Sequence, residues 1–361
     1  MTHIQKMEIR IANDSTSENA EDQNQLTAMV WYIRMCFLPV IVLGTISNIM
    51  NFIVLSNQKM RKLSTSVYLL ALTIADTGVM YFELFRIWFE WMGLVEPDKY
   101  FSKPYCKFAH FTNGFFRDYS NWLIACVAAE RLLMVTTPYR AKVMCTVKNA
   151  RITSILLAVI IIMGHVPCLI FSTTNEQDKK EQIWVCWEDK ETYSYAGCVT
   201  AFFEAIFGYL AVVVVIALNI TLAVLLYRNN FSHLPADWQP SDDQYTRQHG
   251  IHLTRTLLLI IIMFLVCEGP RMILSIVRKA SVEIPILHVF LNMSYLLSGF
   301  NHACNFFVYI LASPTYQLIF FDMTSWCGWQ LVPKTDDASA MVGYRCKCST
   351  CICICKRHTC I

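Results

Sequence analysis

Apolar positions along this chain gather into seven long runs, near residues 30–55, 66–90, 105–134, 150–172, 197–227, 253–278 and 284–311. Each has about the 20 residues that a helix needs to cross roughly 30 Å of hydrocarbon. Lipid offers no partner to a backbone amide, so runs of this length are expected as helices rather than open strands. The pattern predicts an all-α membrane protein, a seven-transmembrane helix bundle. Residues 312–327 then read as a short amphipathic helix after the seventh span, with Leu318, Ile319, Phe320 and Phe321 toward the membrane. Three segments follow from this: an extracellular N-terminal tail over 1–27, the membrane domain over 28–327 and a cytoplasmic cysteine-rich tail over 328–361.

Composition sharpens the contrast with soluble folds. Hydrophobic residues make up 55% and charged ones only 16%, where soluble domains carry about 25% charged residues. The polar loops set an orientation. Lys59, Arg61 and Lys62 follow the first run, and Arg140, Lys142 and Lys148 the third, with no acid among either set. The loop after the fourth holds Glu176, Asp178, Glu181, Glu188, Asp189 and Glu191 against Lys179, Lys180 and Lys190. Short basic loops stay cytoplasmic, which places the N-terminus outside and the C-terminus inside. Residues 1–27 have no apolar core, so the first run is expected to target the membrane without a cleaved signal peptide. Asn13, in Asn13-Asp14-Ser15, is then a glycosylation acceptor on the correct side. Asn219, Asn230 and Asn292 fall in helices or on the cytoplasmic side.

The chain shows no 20–50-residue repeat and no inverted pair of broken helices, which disfavours solenoids and common transporter folds. HExxH, a glycine-rich phosphate loop and GxSxG are absent, so no enzyme is predicted. Nothing points to nucleic acid.

Several polar residues interrupt the runs, where each charge costs about 2.5–3.5 kcal/mol on insertion scales. They include Asn48 within GTISN, Leu72-Thr73-Ile74-Ala75-Asp76, Glu130-Arg131-Leu132 lying 25 residues after Cys106, and Pro138 in the following loop. Phe264, Cys267 and Pro270 mark the sixth run, and Asn301-His302-Ala303-Cys304-Asn305-Phe306-Phe307-Val308-Tyr309 the seventh. This order resembles the rhodopsin-like (class A) G-protein-coupled receptor family over residues 28–325. Departures are present as well. The fifth span lacks a proline and the fourth the usual tryptophan, Glu268 replaces the sixth-span tryptophan, and Phe306 stands where the seventh has proline. Glu130 replaces Asp, and Leu132 replaces Tyr. The Cys-Glu-x-Pro and Asn-Phe-x-x-Tyr segments are most similar to neuropeptide receptors of the FMRFamide-receptor-like kind.

The resemblance implies a receptor that passes agonist binding to a heterotrimeric G protein. It implies a disulfide between Cys106 and Cys186 over the binding cavity. Glu130, Arg131, Pro270, Asn305 and Tyr309 become the switch and coupling residues, with the acid holding the arginine at rest. Asp76, Ser120, Asn301 and Asn305 fall where the family binds a sodium ion, a negative allosteric modulator; a water-filled network is the alternative. The implied ligand cavity collects Glu83, Arg86, Asn113, Arg117, Glu268 and Arg271, together with Asp118. Glu83 and Arg86 can pair along one helix face, and the family fold sets Arg117 opposite Glu268 as an interhelical pair.

Asn113 stands where amine receptors carry aspartate, and 284–311 lacks the lysine that an opsin requires. A charged cavity rimmed by Trp88, Trp91, Tyr100, Trp184 and Trp187 under an acidic loop suits an extracellular peptide with basic residues, although such aromatics also form interface belts. A non-peptide ligand is the alternative, and a seven-helix transporter or channel a more distant one. Cys327 is a palmitoylation candidate. The Cys346–Cys355 cluster admits S-acylation, a thiolate metal site or free thiols, with acylation fitting chain-plus-polybasic anchoring to membrane lipids. Thr359-Cys360-Ile361 has the form of a PDZ ligand.

Overall fold

The computed structural model describes residues 17–92, 103–176, 184–188, 202–232, 263–277, 285–324, 329–330, 345–348 and 351–354. Helices fall at all seven expected places. The first span joins Ser17–Met35 to Phe37–Leu55 through a break at Cys36. Pro39 explains it: a proline has no amide for the carbonyl four residues back, and its ring crowds that carbonyl, here Met35. The second span comprises Ser64–Val79, a π-helical turn over Met80–Phe85 and Arg86–Trp91. The third is one helix, Lys103–Thr136, and the fourth is Val147–Phe171, with the short helix Pro138–Met144 between them. The fifth runs through a π turn at Ala205–Tyr209 into Leu210–Ser232. The sixth is described over 263–277, and the seventh comprises Pro285–Ala303 and Asn305–Ala312.

Among the described residues, four helices are both long and apolar enough to cross a membrane: Asn24–Leu55, Ser64–Phe89, Val147–Pro167 and Phe202–Leu225. The others carry their polarity for a reason. Arg117, Asp118, Glu130 and Arg131 dilute the third span, the sixth is described only in part, and Cys304 divides the seventh.

Burial is inverted relative to a soluble protein. Leu43, Ile46, Ile49 and Phe52 of the first span, and Ile155, Leu156, Val159 and Ile160 of the fourth, lie exposed. Asn48, Asn51, Asp76, Glu83, Ser120 and Glu268 are buried. Apolar side chains facing out and polar ones facing in is the arrangement lipid demands. The third span packs on the second, fourth and fifth. Leu72, Ala75, Leu123 and Ala150 close the second, third and fourth spans together, and Ala125, Val212, Val215 and Phe264 close the third, fifth and sixth.

After the seventh span the chain turns through 106° into the helix Pro314–Thr324. Pro314 sets the corner, because the residue before a proline is driven out of helical space, and Ser313 sits at φ −119°, ψ 107°. Ile319 and Tyr316 anchor this helix against Val54, Leu55 and Tyr309. Tyr316 donates to Asn51 Oδ1 at 2.6 Å, and burial holds its phenol above the ordinary range.

Among the described residues, a two-stranded and a three-stranded antiparallel sheet supplement the helices. Strands β1 (Ser172–Glu176) and β2 (Trp184–Glu188) pair antiparallel with Thr174 opposite Cys186, against the Cys106 end of the third span. In the tail, β4 (Arg345–Cys348) pairs with β3 (Trp329–Gln330) and with β5 (Cys351–Ile354).

Candidate ligand and switch sites

Asp76 is the hub of the bundle interior. Its Oδ1 accepts Ser120 Oγ at 2.7 Å and lies 2.7 Å from His302 Nδ1, and its Oδ2 accepts Asn305 Nδ2 at 2.6 Å. Ser120 and Asn305 thus stand beside Asp76. Asn301 is not hydrogen-bonded to Asp76 among the described residues; with Asn305 it lines a cavity beside Leu72, Phe264, Val308 and Tyr309. A hard cation takes oxygen donors, and here an imidazole nitrogen holds the carboxylate instead. The residues present do not fit a sodium ion.

Toward the Cys106 end the charges resolve into pairs. Arg117 binds the fully buried Glu83 and donates to Asn113 Oδ1 at 2.8 Å. Glu268 is held by Arg271, whose Nε and Nη2 both lie 3.0 Å from Oε2, while Ser298 donates to Oε1 at 2.6 Å. The expected Arg117–Glu268 pair is therefore replaced by two others. Glu83 prefers Arg117 over Arg86 as well, and Arg86 Nε turns to the Phe82 carbonyl at 3.3 Å. The π turn at Met80–Phe85 accounts for that choice, since it rotates the helix relative to regular i, i+3 spacing.

Arg117 and Arg271 reach a common cavity with Asp118, Glu204, Tyr209 and Met272 between the third, fifth and sixth spans. Asp118 also takes His165 of the fourth span, Oδ2 to Nε2 at 3.0 Å, both buried. Trp122 donates to the Phe207 carbonyl at 2.9 Å, inside the fifth-span π turn. That turn supplies the irregularity for which the sequence offers no proline. His165, Ser298 and His302 are site residues that sequence reasoning did not single out. Only His302 left a mark there, as a bulky titratable residue inside the motif of the seventh span.

At the opposite end Glu130 does not hold Arg131. It accepts Ser64 Oγ at 3.0 Å and Thr65 Oγ1, both at the start of the second span. Arg131 contacts Met134 Sδ at 3.9 Å and meets no carboxylate among the described residues. In the neighbouring loop, burial and then Glu130 push the Cys145 thiol up. Tyr309 is buried against Tyr316, ring centroids 5.8 Å apart, and Asn305 and His302 flank the break at Cys304. Pro270 lies within the sixth helix, one turn from neither end of 263–277.

The side chains of Cys106 and Cys186 lie outside the described residues, as do Asn13, Tyr100, Cys327 and Thr359. The described side chains contain no cluster of three or more His, Cys, Asp or Glu arranged for a metal ion.

A membrane bundle with a buried Asp76 hub, paired charges at one end and Glu130-Arg131 at the other defines a receptor class. The chain belongs to the family described as 7 transmembrane receptor (rhodopsin family), which matches residues 47–309. It is similar to lysophosphatidic acid receptor 6 of Gallus gallus, 26% identical over 198 residues, or 53% of this chain and 60% of that receptor. It is also similar to lysophosphatidic acid receptor 6 of Mus musculus, 24% identical over 199 residues (53% and 54%). A third relative is lysophosphatidic acid receptor 4 of Homo sapiens, 21% identical over 296 residues (78% and 74%). The chain spans less than two thirds of the first two relatives it matches. These relatives are named for a lysophospholipid rather than an FMRFamide-like peptide, so they support the family and not the finer likeness.

Proposed function

We propose that this chain is a plasma-membrane G-protein-coupled receptor, N-terminus outside, whose agonist is an extracellular peptide carrying basic residues. The observation that carries the ligand class is the cavity where Arg117 and Arg271 meet Asp118 and Glu204. Its lining bears both signs of charge, and each arginine is already held by a buried carboxylate. A cationic side chain of the ligand can take over Glu83 or Glu268 and release the arginine. A conformational change then follows from exchange of ion pairs, because a ligand moves an equilibrium only by its differential affinity for the two states. Going from 1:99 to 99:1 takes about 5.5 kcal/mol of such difference. Arg131, Tyr309 and the loops on that side couple the G protein. A Cys106–Cys186 bridge would tie the β1–β2 hairpin over the cavity, Asn13 would carry a glycan, and Cys327 with the tail cysteines would hold acyl chains. The last three residues would offer a PDZ partner its ligand.

A lysophospholipid agonist is the second reading, favoured by the names of the relatives. It would need one arginine freed for a phosphate and an apolar channel for the chain. Calcium and cyclic AMP responses of transfected cells, challenged in parallel with amidated peptides and with lysophosphatidic acid, separate the two. A dose-dependent response that Arg131→Ala abolishes establishes the receptor, and the responding arm names the ligand class. Silence toward peptides with a response to the lipid overturns the peptide reading and leaves the receptor standing.

A further inference from the structure

His302 lies at the centre of the bundle with 1% of its surface exposed. Its Nδ1 is 2.7 Å from Asp76 Oδ1, and its Nε2 is 3.5 Å from Glu268 Oε1. One ring thus stands between the second span and the sixth, hydrogen-bonded to Asp76 through Nδ1, while its buried Nε2 faces Glu268 without a hydrogen bond. Glu268 has Arg271 and Ser298 besides; among the described residues Asp76 has only the neutral donors Ser120 and Asn305. A buried carboxylate with no cationic partner is costly. The space against Asp76 Oδ1, which a cation would need, is filled by the imidazole.

We propose that His302 stands in for the sodium ion in this receptor: the imidazole, hydrogen-bonded through Nδ1 to Asp76, occupies the space beside that carboxylate, and sodium has no site and no effect. The mismatch between the Asp76 surroundings and a hard cation then has a single cause, one side chain. Removing the ring should vacate the position beside Asp76 and leave Ser120, Asn305 and the carboxylate as an oxygen-bearing pocket. Sodium sensitivity should appear where none existed.

The test uses the purified full-length chain in lipid nanodiscs, without any agonist. Thermal unfolding is followed in sodium chloride, potassium chloride and N-methyl-D-glucamine chloride at equal ionic strength. The wild type should unfold at the same temperature in all three. His302→Ser should gain a sodium-specific rise of about 2 °C, as expected for a ligand that binds only the folded state. His302→Asn, closer in size and polarity, is run beside it and is judged by the same criterion if the serine variant does not fold. A saturable sodium-specific rise in the wild type overturns the proposal. So does indifference to sodium in a folded variant, because the ring would then not be what excludes the ion.

Discussion

Arg271 holds Glu268 from one turn away on the sixth span, with Nε and Nη2 both 3.0 Å from Oε2. Glu268 is fully buried and the Arg271 side chain is 10% exposed. Truncating one partner of such a pair costs about 3–5 kcal/mol, since the other is left charged in a low-dielectric interior. Arg271→Ala is therefore expected to lower folded surface expression and the unfolding temperature steeply. Replacing both residues, Glu268→Gln with Arg271→Met, should recover much of the loss. Equal damage from single and double variants in a thermal-stability assay would show that the pair is not what the alanine removes.

The Glu83–Arg117 contact permits a functional version of the same cycle. Arg117 bridges Glu83 to Asn113 and faces the cavity. Glu83→Gln should loosen Arg117 and shift agonist dose-response by about tenfold or more, a coupling within the range for residues in one network. Adding Arg117→Gln to Glu83→Gln should change the midpoint little further. Additive shifts in the double variant would separate the two residues.

Glycine positions give a stability test with an internal control. A Cβ built on Gly78 would collide with the ring of Phe116, which is stacked on Phe82 at 5.2 Å. A Cβ on Gly269 would meet nothing within 4 Å. Gly78→Ala should cost about 1–3 kcal/mol by overpacking, read as a lower unfolding temperature of the purified receptor. Gly269→Ala should be close to neutral. Matching losses in both would mean that crowding is not the cause.

How much of this could be read from the sequence depends on which physical signal carries each feature. The spans were legible because a hydrophobic run of membrane length has few alternatives. Asp76, Ser120 and Asn305 were legible because a fixed order of polar residues in apolar helices resembles a family. Pairings were not. Whether Glu83 meets Arg117 or Arg86 depends on a π turn at Met80–Phe85 that rotates the helix, and no residue there announces it. The first-span break at Cys36 was available in Pro39, four residues beyond Met35. The role of His302 was hidden for a different reason: sequence gives its position in the motif but not the distance to two carboxylates on other helices.

Glu130 offers the last prediction. With the Glu130 carboxylate on Ser64 and Thr65, Arg131 makes no hydrogen bond or ion pair to an acid among the described residues, although Glu130 is its neighbour in sequence. The Glu130–Arg131 contact that the family resemblance implies is thus replaced by hydrogen bonds from two hydroxyls at the start of the second span. Hydrogen bonds to a charged group are worth about 1.5–3 kcal/mol each, enough to decide which partner Glu130 takes. Ser64→Ala combined with Thr65→Val should return the carboxylate to Arg131 and reduce agonist-independent signalling by about threefold or more, on the arithmetic of a two-state equilibrium. Glu130→Gln in the same assay should do the reverse or leave the basal level high, because no acid remains to close the lock. The comparison is made in cells with matched surface expression, using a cyclic AMP or calcium reporter. Higher basal signalling from the double variant than from the wild type would mean that Ser64 and Thr65 restrain the receptor rather than hold it open.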